Sequence, residues 1–455
     1  MPGRDTDRGE RIPVSSVRPF LITAAAVLAF VVTGCSAPPE PLPRREVPEH
    51  GAVDPARPCS REPGTAPATG TAPDGGEPQA RFDAATNTIV LTGGEDVPLP
   101  ALGEEVADSA LREVEPGVWF LGANIAVQPG ASLRVAAPDV HWLRMAGGGG
   151  AFVSITAYGG GLAVEGTCIT SWDPGTQTVD EDHEDRRSYL LARDGATMTI
   201  DDAELRFLGS GDVESYGLSW RTEGTTGHIR GSVISHLYYG LYSYEVDGLE
   251  VTDNEFHDNV LYGVDPHTES RNLVIERNVV HHNGKHGIIL AEDCVDSVIR
   301  DNVVYANKHH GIVMYQNSDR NLIEGNESFG NAAQGININE SHENEIRANK
   351  VYDNAESGVG ITQTSRSNVV ADNQLRGNGK DGIRLVSEAA ETTVRGNTIG
   401  RNERYGVYVD TVSGFELTGN TVFGSRVGLM IKGGDEADEG DNEVFGNEEA
   451  DALSS

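Results

Sequence analysis

The stretch Asn278-Val-Val-His-His-Asn283-Gly-Lys-His-Gly287-Ile-Ile-Leu290 returns 24 residues later as Asn302-Val-Val-Tyr-Ala-Asn307-Lys-His-His-Gly311-Ile-Val-Met314. Followed in both directions, its first asparagine recurs at 254, 278, 302, 326, 349, 373, 397 and 420, in steps of 23 or 24 residues. The second asparagine recurs at 259, 283, 307, 331, 354, 378 and 402, and the glycine at 263, 287, 311, 335, 358, 382, 406 and 428. Gly240 and Gly217 extend the glycine column upstream. Each unit carries short apolar alternations, such as Leu273-Val-Ile275 and Ile288-Ile-Leu290, and none carries a run at helical spacing. A period of this length, with three strand signals between Asn and Gly turns, predicts an all-β, single-stranded right-handed parallel β-helix. Its coils of 23–24 residues would stack around a continuous aliphatic interior. The asparagines are expected to stack as turn ladders that bond backbone in the neighbouring coil, with no catalytic role.

Composition agrees. Among 455 residues there are 55 glycines and 6% aromatics, which suits short strands and turns and not a helical bundle. The formal charge is −35, from 35 Lys+Arg against 70 Asp+Glu. Such a far field argues against a nucleic-acid or anionic-membrane binder, so no nucleic-acid partner is expected. A polyanionic substrate would need one locally neutral or basic groove.

Outside the repeat the chain divides by composition. Arg4, Arg8, Arg11 and Arg18 precede an apolar run from Phe20 to Val32 that ends in Val32-Thr-Gly-Cys35. The run is short for a membrane span and fits an export signal. Small residues directly before Cys35 resemble a bacterial lipobox. Residues 1–35 are therefore expected to be a lipoprotein signal with Cys35 as the lipidated residue, and the rest to lie outside the cytoplasm, membrane-bound only through that lipid. Residues 36–80 carry 11 of the 21 prolines and predict an extended, disordered tether. Residues 81–215 predict an N-terminal cap and irregular first coils with an acidic insertion near Asp180 to Arg187. The regular helix is expected over 216–447, and 448–455 as a tail. Cys59, Cys168 and Cys294 show no metal-ligand spacing, so no metal and no cofactor are expected; one disulfide can form, with its pairing open. The chain is expected to be a monomer.

The repeat breaks at Val264-Asp265-Pro266-His267-Thr268-Glu269-Ser270. Strand residues alternate faces, so an inward Val264 sends Asp265 and His267 outward together. In the projected register Tyr239, His286 and His310 share the column of Tyr262, Tyr242 that of Asp265, and Arg221, Tyr244 and Tyr315 that of His267. Coils about 4.8 Å apart would gather these side chains into one patch. From Arg271 to Arg320 the sequence has six Lys/Arg and six Asp/Glu, and seven of the 13 histidines (257, 267, 281, 282, 286, 309, 310) lie between 257 and 310. A neutral, histidine-rich face on so acidic a chain suits an acidic polysaccharide, a uronan.

Tyr262-Gly-Val-Asp-Pro-His267, with Lys285-His-Gly-Ile-Ile289 next, resembles the mannuronan (alginate) C5-epimerases, whose motif is Tyr-Gly-(Ile/Val/Phe)-Asp-Pro-His followed by an acid. Ser215-Tyr-Gly-Leu-Ser219 and Tyr239-Gly-Leu-Tyr-Ser-Tyr244 are similar to the periplasmic branch of that family. Val295-Asp-Ser-Val298 with His310-Gly-Ile312 is similar to its secreted, modular branch, although the calcium-binding glycine nonapeptides of that branch are absent from the sequence. The likeness covers roughly 115 to 430. Two positions depart. Thr268 stands where the family commonly has the acid, and Glu292 stands where the periplasmic branch has an arginine for the substrate carboxylate.

The resemblance implies an isomerase acting on mannuronate or a related uronate within a polymer. C5 lies α to a carboxylate, so an enzyme must neutralise that carboxylate, remove H5 and stabilise the enediolate-like intermediate. Following the motif, His267 is the base, Tyr262 (or water in its place) the proton donor, and a protonated Asp265 bonds the carboxylate or orients His267. Lys285, His286, Lys308, His309 and His310 are candidates for substrate charge, Arg221 a more distant one. Tyr239, Tyr242, Tyr244, Tyr315 and Glu292 complete the expected substrate-binding set, Glu292 in an acidic role. Two alternatives stand: a polysaccharide lyase on the same fold, which expels the C4 oxygen after the same first step, and a non-catalytic cell-surface β-helix that binds glycan.

Overall fold

The computed structural model describes residues 45–49, 51–59, 79–106, 110–434 and 440–454. The expected signal and lipidated Cys35 lie outside the described residues, as do 36–44, 50 and 60–78 of the expected tether. The described chain winds into a right-handed parallel β-helix of about 14 turns. Among the described residues, one α-helix occurs, Leu99–Glu105.

Each coil lays one strand on each of three sheets, and these strands turn apolar residues inward, two from most first-sheet strands, as with Ile288 and Leu290. On the first sheet Leu241, Val264, Ile288, Ile312, Ile336 and Val359 stack in register. Val251, Ile275, Ile299 and Ile323 do so on the second sheet, and Phe256, Val280 and Val304 on the third. All of these side chains are buried. A second first-sheet column, Leu290, Met314, Ile338 and Ile361, lies beside the first. Each such side chain contributes about 1.5–3 kcal/mol by leaving water, so the core is a sum of stacked apolar columns. The third-sheet column admits one polar member, Ser328, whose Oγ donates to the Gly335 carbonyl at 2.9 Å.

The repeated asparagines hold the turns. Asn302 N–H donates to Asn326 Oδ1 at 3.0 Å, while its Nδ2 donates to the Ile275 carbonyl at 2.9 Å. The same pattern runs from Asn254 to Asn442 and, for the second column, from Asn259 to Asn402. It explains the glycine column as well. A Cβ on Gly263 would meet Val280 Cγ1 at 2.5 Å, the Gly287 carbonyl at 2.7 Å and Asn283 Nδ2 at 2.9 Å, so the ladder amide occupies the space of a side chain.

Coils begin upstream of 216, in the stretch expected to hold irregular first coils, while the expected tail and glycine column need correction. Ile89, Ile125, Ile155, Leu190 and Leu218 already stack in one register, at separations of 36, 30, 35 and 28 residues. Leu99 and Leu102 of the helix are buried in the same apolar cluster, where the helix packs beside the first strands. Residues expected as a tail instead pair with Val427–Ile431 through Ala450–Ser454. Gly217 does not continue the glycine column: it pairs with Tyr239, and the register shifts before Ser219.

The described part of the expected tether is fastened to the solenoid. The Arg45 guanidinium pairs with Glu327 at 3.1 Å, and its backbone N–H donates to Tyr352 Oη at 3.0 Å. Val53 packs on a cluster containing Trp172 and Phe207, the Pro55 carbonyl accepts from Val179 N–H, and Cys59 is disulfide-bonded to Cys168. Cys294 is a buried free thiol. Three prolines fall within 45–59, but three polar ties and a covalent bond outweigh the entropy of an open chain.

Candidate active site

On the first sheet the strand Val264–His267 turns Val264 into the core and Asp265 and His267 toward the outer face. Its register to Tyr242 and Tyr244 on one side is complete. On the other side it pairs only at Val264 with Ile288 and at His267 with Ala291, since Pro266 has no N–H to give the ladder. The outer face beyond is floored by Ile289, Ala291 and Val313, which form a small apolar cluster with Tyr262. A cleft of about 500 Å³ lies over this floor.

One wall is a column of stacked rings. Tyr239 and Tyr262 lie 5.3 Å apart, Tyr262 and His286 5.4 Å, and His286 and His310 5.1 Å, with ring planes within 23° of parallel. The His310 N–H donates to His286 Nδ1 at 3.3 Å, and the Gln334 N–H to His310 Nδ1 at 3.0 Å. Both rings therefore keep their proton on Nε2. Burial, reinforced by the neighbouring histidines, pushes His286 down to about 2 and His310 to about 3, so both are neutral hydrogen-bond donors and not cations.

His267 is held the opposite way. Its Nδ1 lies 2.8 Å from Thr268 Oγ1, and that hydroxyl donates to Glu292 Oε2 at 3.1 Å. A hydroxyl that donates to a carboxylate accepts from the ring, so the proton sits on Nδ1 and Nε2 keeps its lone pair. Burial lowers the His267 pKa, with Glu292 raising it and Arg221 lowering it. Asp265 is 2% exposed, its Oδ1 has no hydrogen-bond partner, and burial raises its pKa well above the carboxylate range. Burial therefore favours its protonated form. Burial also raises Tyr262, and Lys285 Nζ donates to its Oη at 2.6 Å, which leaves the phenol proton free to be given elsewhere.

The cleft brings together Tyr239, Tyr242, Tyr262, Asp265, His267, Lys285, His286, His309, His310 and Tyr315. Four expected residues do not line it. Arg221 sits behind it, its guanidinium 4.6 Å from the centroid of the Tyr242 ring, and Tyr244 flanks Arg221. Glu292 acts on the cleft through Thr268. Lys308 is exposed at a turn, away from the lining.

Three of the seven clustered histidines, and most of the basic residues from Arg271 to Arg320, lie away from the cleft. His257 and His281 belong to the third sheet, with His282 just after its strand; His257 and His281 stack 5.3 Å apart and His281 stacks 4.7 Å from Tyr305. Arg271, Arg277, Arg300 and Arg320 bind Asp247, Asp253, Glu276 and Asp296 of the preceding coil. Of the six basic residues in that segment, only Lys285 lines the cleft. Sequence reasoning missed Tyr216, Asn337 and Asn339, which line it too. Asn337 and Asn339 sit one coil beyond Val313 and Tyr315, so one more step of the same register would have found them.

His286, His309 and His310 offer three ring nitrogens within 4.8 Å of one another, close enough to share a cation. The backbone bonds to Nδ1 of His286 and His310 oppose this, because they place a proton on the nitrogen a metal would need.

Residues 207–378 match a family model described as periplasmic copper-binding protein (NosD), and 313–448 one described as right handed beta helix region. The chain is similar to the mannuronan C5-epimerases of Pseudomonas putida, 33% identical over 197 residues, and Pseudomonas aeruginosa, 33% over 203. These matches cover 40% and 42% of this chain and 37% and 36% of the relatives, so the chain spans little more than a third of their length. A crystal structure of the periplasmic alginate epimerase AlgG superposes with a TM-score of 0.66 at 25% identity, over 70% of this chain and 81% of that one.

Proposed function

We propose that this chain is a uronan C5-epimerase that removes and replaces H5 of mannuronate, or a related uronate, within a polymer. The observation that carries this reading is the setting of two neighbours: His267 presents a lone pair on Nε2, and the Asp265 carboxyl two residues away is buried with one oxygen unpaired, which favours its acid form. In this reading Asp265 and Lys285 meet the substrate carboxylate and draw off its charge. His267 Nε2 takes H5, and Tyr262 O–H returns a proton to the opposite face. Glu292 holds the base through Thr268, which supports an acidic role for the residue standing at the arginine position of the periplasmic branch. Neutral His286 and His310 supply Nε2–H donors along the cleft.

The similarity to mannuronan C5-epimerases over the coils that hold the cleft supports the substrate class. The Cys59–Cys168 disulfide and the periplasmic relatives support a location outside the cytoplasm, with Cys35 as the lipid anchor and the chain as a monomer. Incubation with polymannuronate in deuterated water tests the reaction. Deuterium at C5 with conversion of mannuronate to guluronate is expected; absorbance from an unsaturated uronate would instead identify a lyase, and neither signal would leave a glycan-binding solenoid.

A further inference from the structure

The floor of the cleft changes character along the solenoid. Past His267 it is apolar for two coils, and in the third coil it becomes a platform of amides. Asn337 and Gln334 are 8% and 7% exposed, yet Asn337 Oδ1, Asn339 Oδ1 and Gln334 Oε1 have no hydrogen-bond partner. The contrast with the turn ladders is sharp, since there each amide oxygen accepts from the preceding coil.

Room for the platform comes from the next coil. Gly360 lies in register with Asn337, and a Cβ there would collide with the Gln334 amide, which lies across the glycine. Asn339 Nδ2 donates to Thr362 Oγ1 at 3.3 Å, which fixes this amide with its oxygen unpaired. Buried carbonyls without partners are costly and rare in native structures. Two of them line one end of the open cleft, with the Gln334 amide beside them in the same coil, and together they form a site that a ligand completes.

We infer that Gln334, Asn337 and Asn339 form a subsite for the hydroxyl-bearing face of a sugar residue, three coils or roughly 14 Å from the residue reacting at His267. The inference rests on the polymer reading of the cleft. What the three oxygens lack is donors. Pyranose hydroxyls supply donors and an ionised carboxylate has none, so this end of the cleft reads the sugar ring and not its charge.

Isothermal titration of the full chain with polymannuronate, and with the neutral polymer made by reducing its carboxyl groups, tests this. Asn337→Ala should weaken binding of both polymers about tenfold and raise KM with little change in kcat. Gly360→Ala, which displaces the Gln334 amide without removing a subsite residue, should weaken both in the same direction, with folding of each variant checked by thermal melting. Folded variants that bind both polymers like the wild type would overturn the subsite, as would a loss seen only with the acidic polymer. If the wild type exchanges no H5 yet shows Asn337-dependent binding of the neutral polymer, the epimerase reading fails and the subsite stands.

Discussion

The molecule carries two columns of stacked rings, and their different settings separate scaffold from chemistry. On the first sheet Tyr239, Tyr262, His286 and His310 stack at 5.1–5.4 Å; on the third, His257, His281, Tyr305, Phe329 and Tyr352 stack at 4.7–5.3 Å. The spacing is that of the coils, so any aromatic column in a solenoid will stack. The third-sheet column is engaged by its own structure: His281 Nε2 lies 3.1 Å from Glu255, Tyr352 Oη donates to Glu327 at 2.6 Å, and Arg45 caps its end. The first-sheet column borders a cleft in which Asp265, Asn337 and Asn339 each keep an unpaired buried oxygen. Rings alone are architecture; an open cleft with unpaired acceptor oxygens beside them marks the site.

The sharpest way to break that contrast is His267→Asn. It removes the base while keeping a polar side chain, so C5 proton exchange should fall at least about 10²-fold, with polymer affinity changing far less. Full exchange in this variant would reduce the first-sheet column to scaffold. Next in size, Asn326→Ala should cost about 1–3 kcal/mol in chemical denaturation by stranding the Ile299 carbonyl and the Asn302 N–H of the preceding coil, while the folded fraction retains its turnover. A loss of turnover without a loss of stability would show a ladder residue acting in the reaction.

Thr268→Val breaks the link that sets the His267 tautomer and should lower kcat about tenfold, with Thr268→Ser restoring it. Glu292→Gln tests the same link by pH. Glu292 raises the His267 pKa, so its removal lowers that pKa further, and the acid limb of kcat/KM should move to lower pH; a limb that stays in place would detach Glu292 from the base. His281→Phe, on the third sheet, keeps the stack and loses the bonds to Glu255 and His282. It should leave exchange at the wild-type rate and cost no more than about 1 kcal/mol in a melt.

The regular coils were legible because each position has one physical duty: an aliphatic residue fills the core column, an asparagine closes the turn, and a glycine makes way for the amide of the next coil. That regularity also carried Tyr262, Asp265 and His267 onto one face by register. The early coils were not legible, since loops between Ile89 and Leu218 vary in length and the strands keep register without keeping period. The histidine cluster misled for a related reason. Residues 281 and 286 are close in sequence, but a turn lies between their sheets, and proximity along a coil is not proximity on a face. Thr268 as the partner of His267 was out of reach, because a strand pattern says nothing about a left-handed residue, φ 26°, at its end.

The segment from Arg45 to Cys59 has a mechanical consequence. In a solenoid each coil touches only its neighbours, so melting can begin at either end and halt anywhere. A strap joined to Cys168 at one end and to Glu327 and Tyr352 at the other breaks that locality. The coils between its attachment points must give way together, whereas those beyond Tyr352 can fray singly from the C-terminus. The whole cleft, from Tyr216 to Asn339, falls inside the strapped length. The protein can thus lose order at its far end while the coils that shape the cleft persist as one cooperative block.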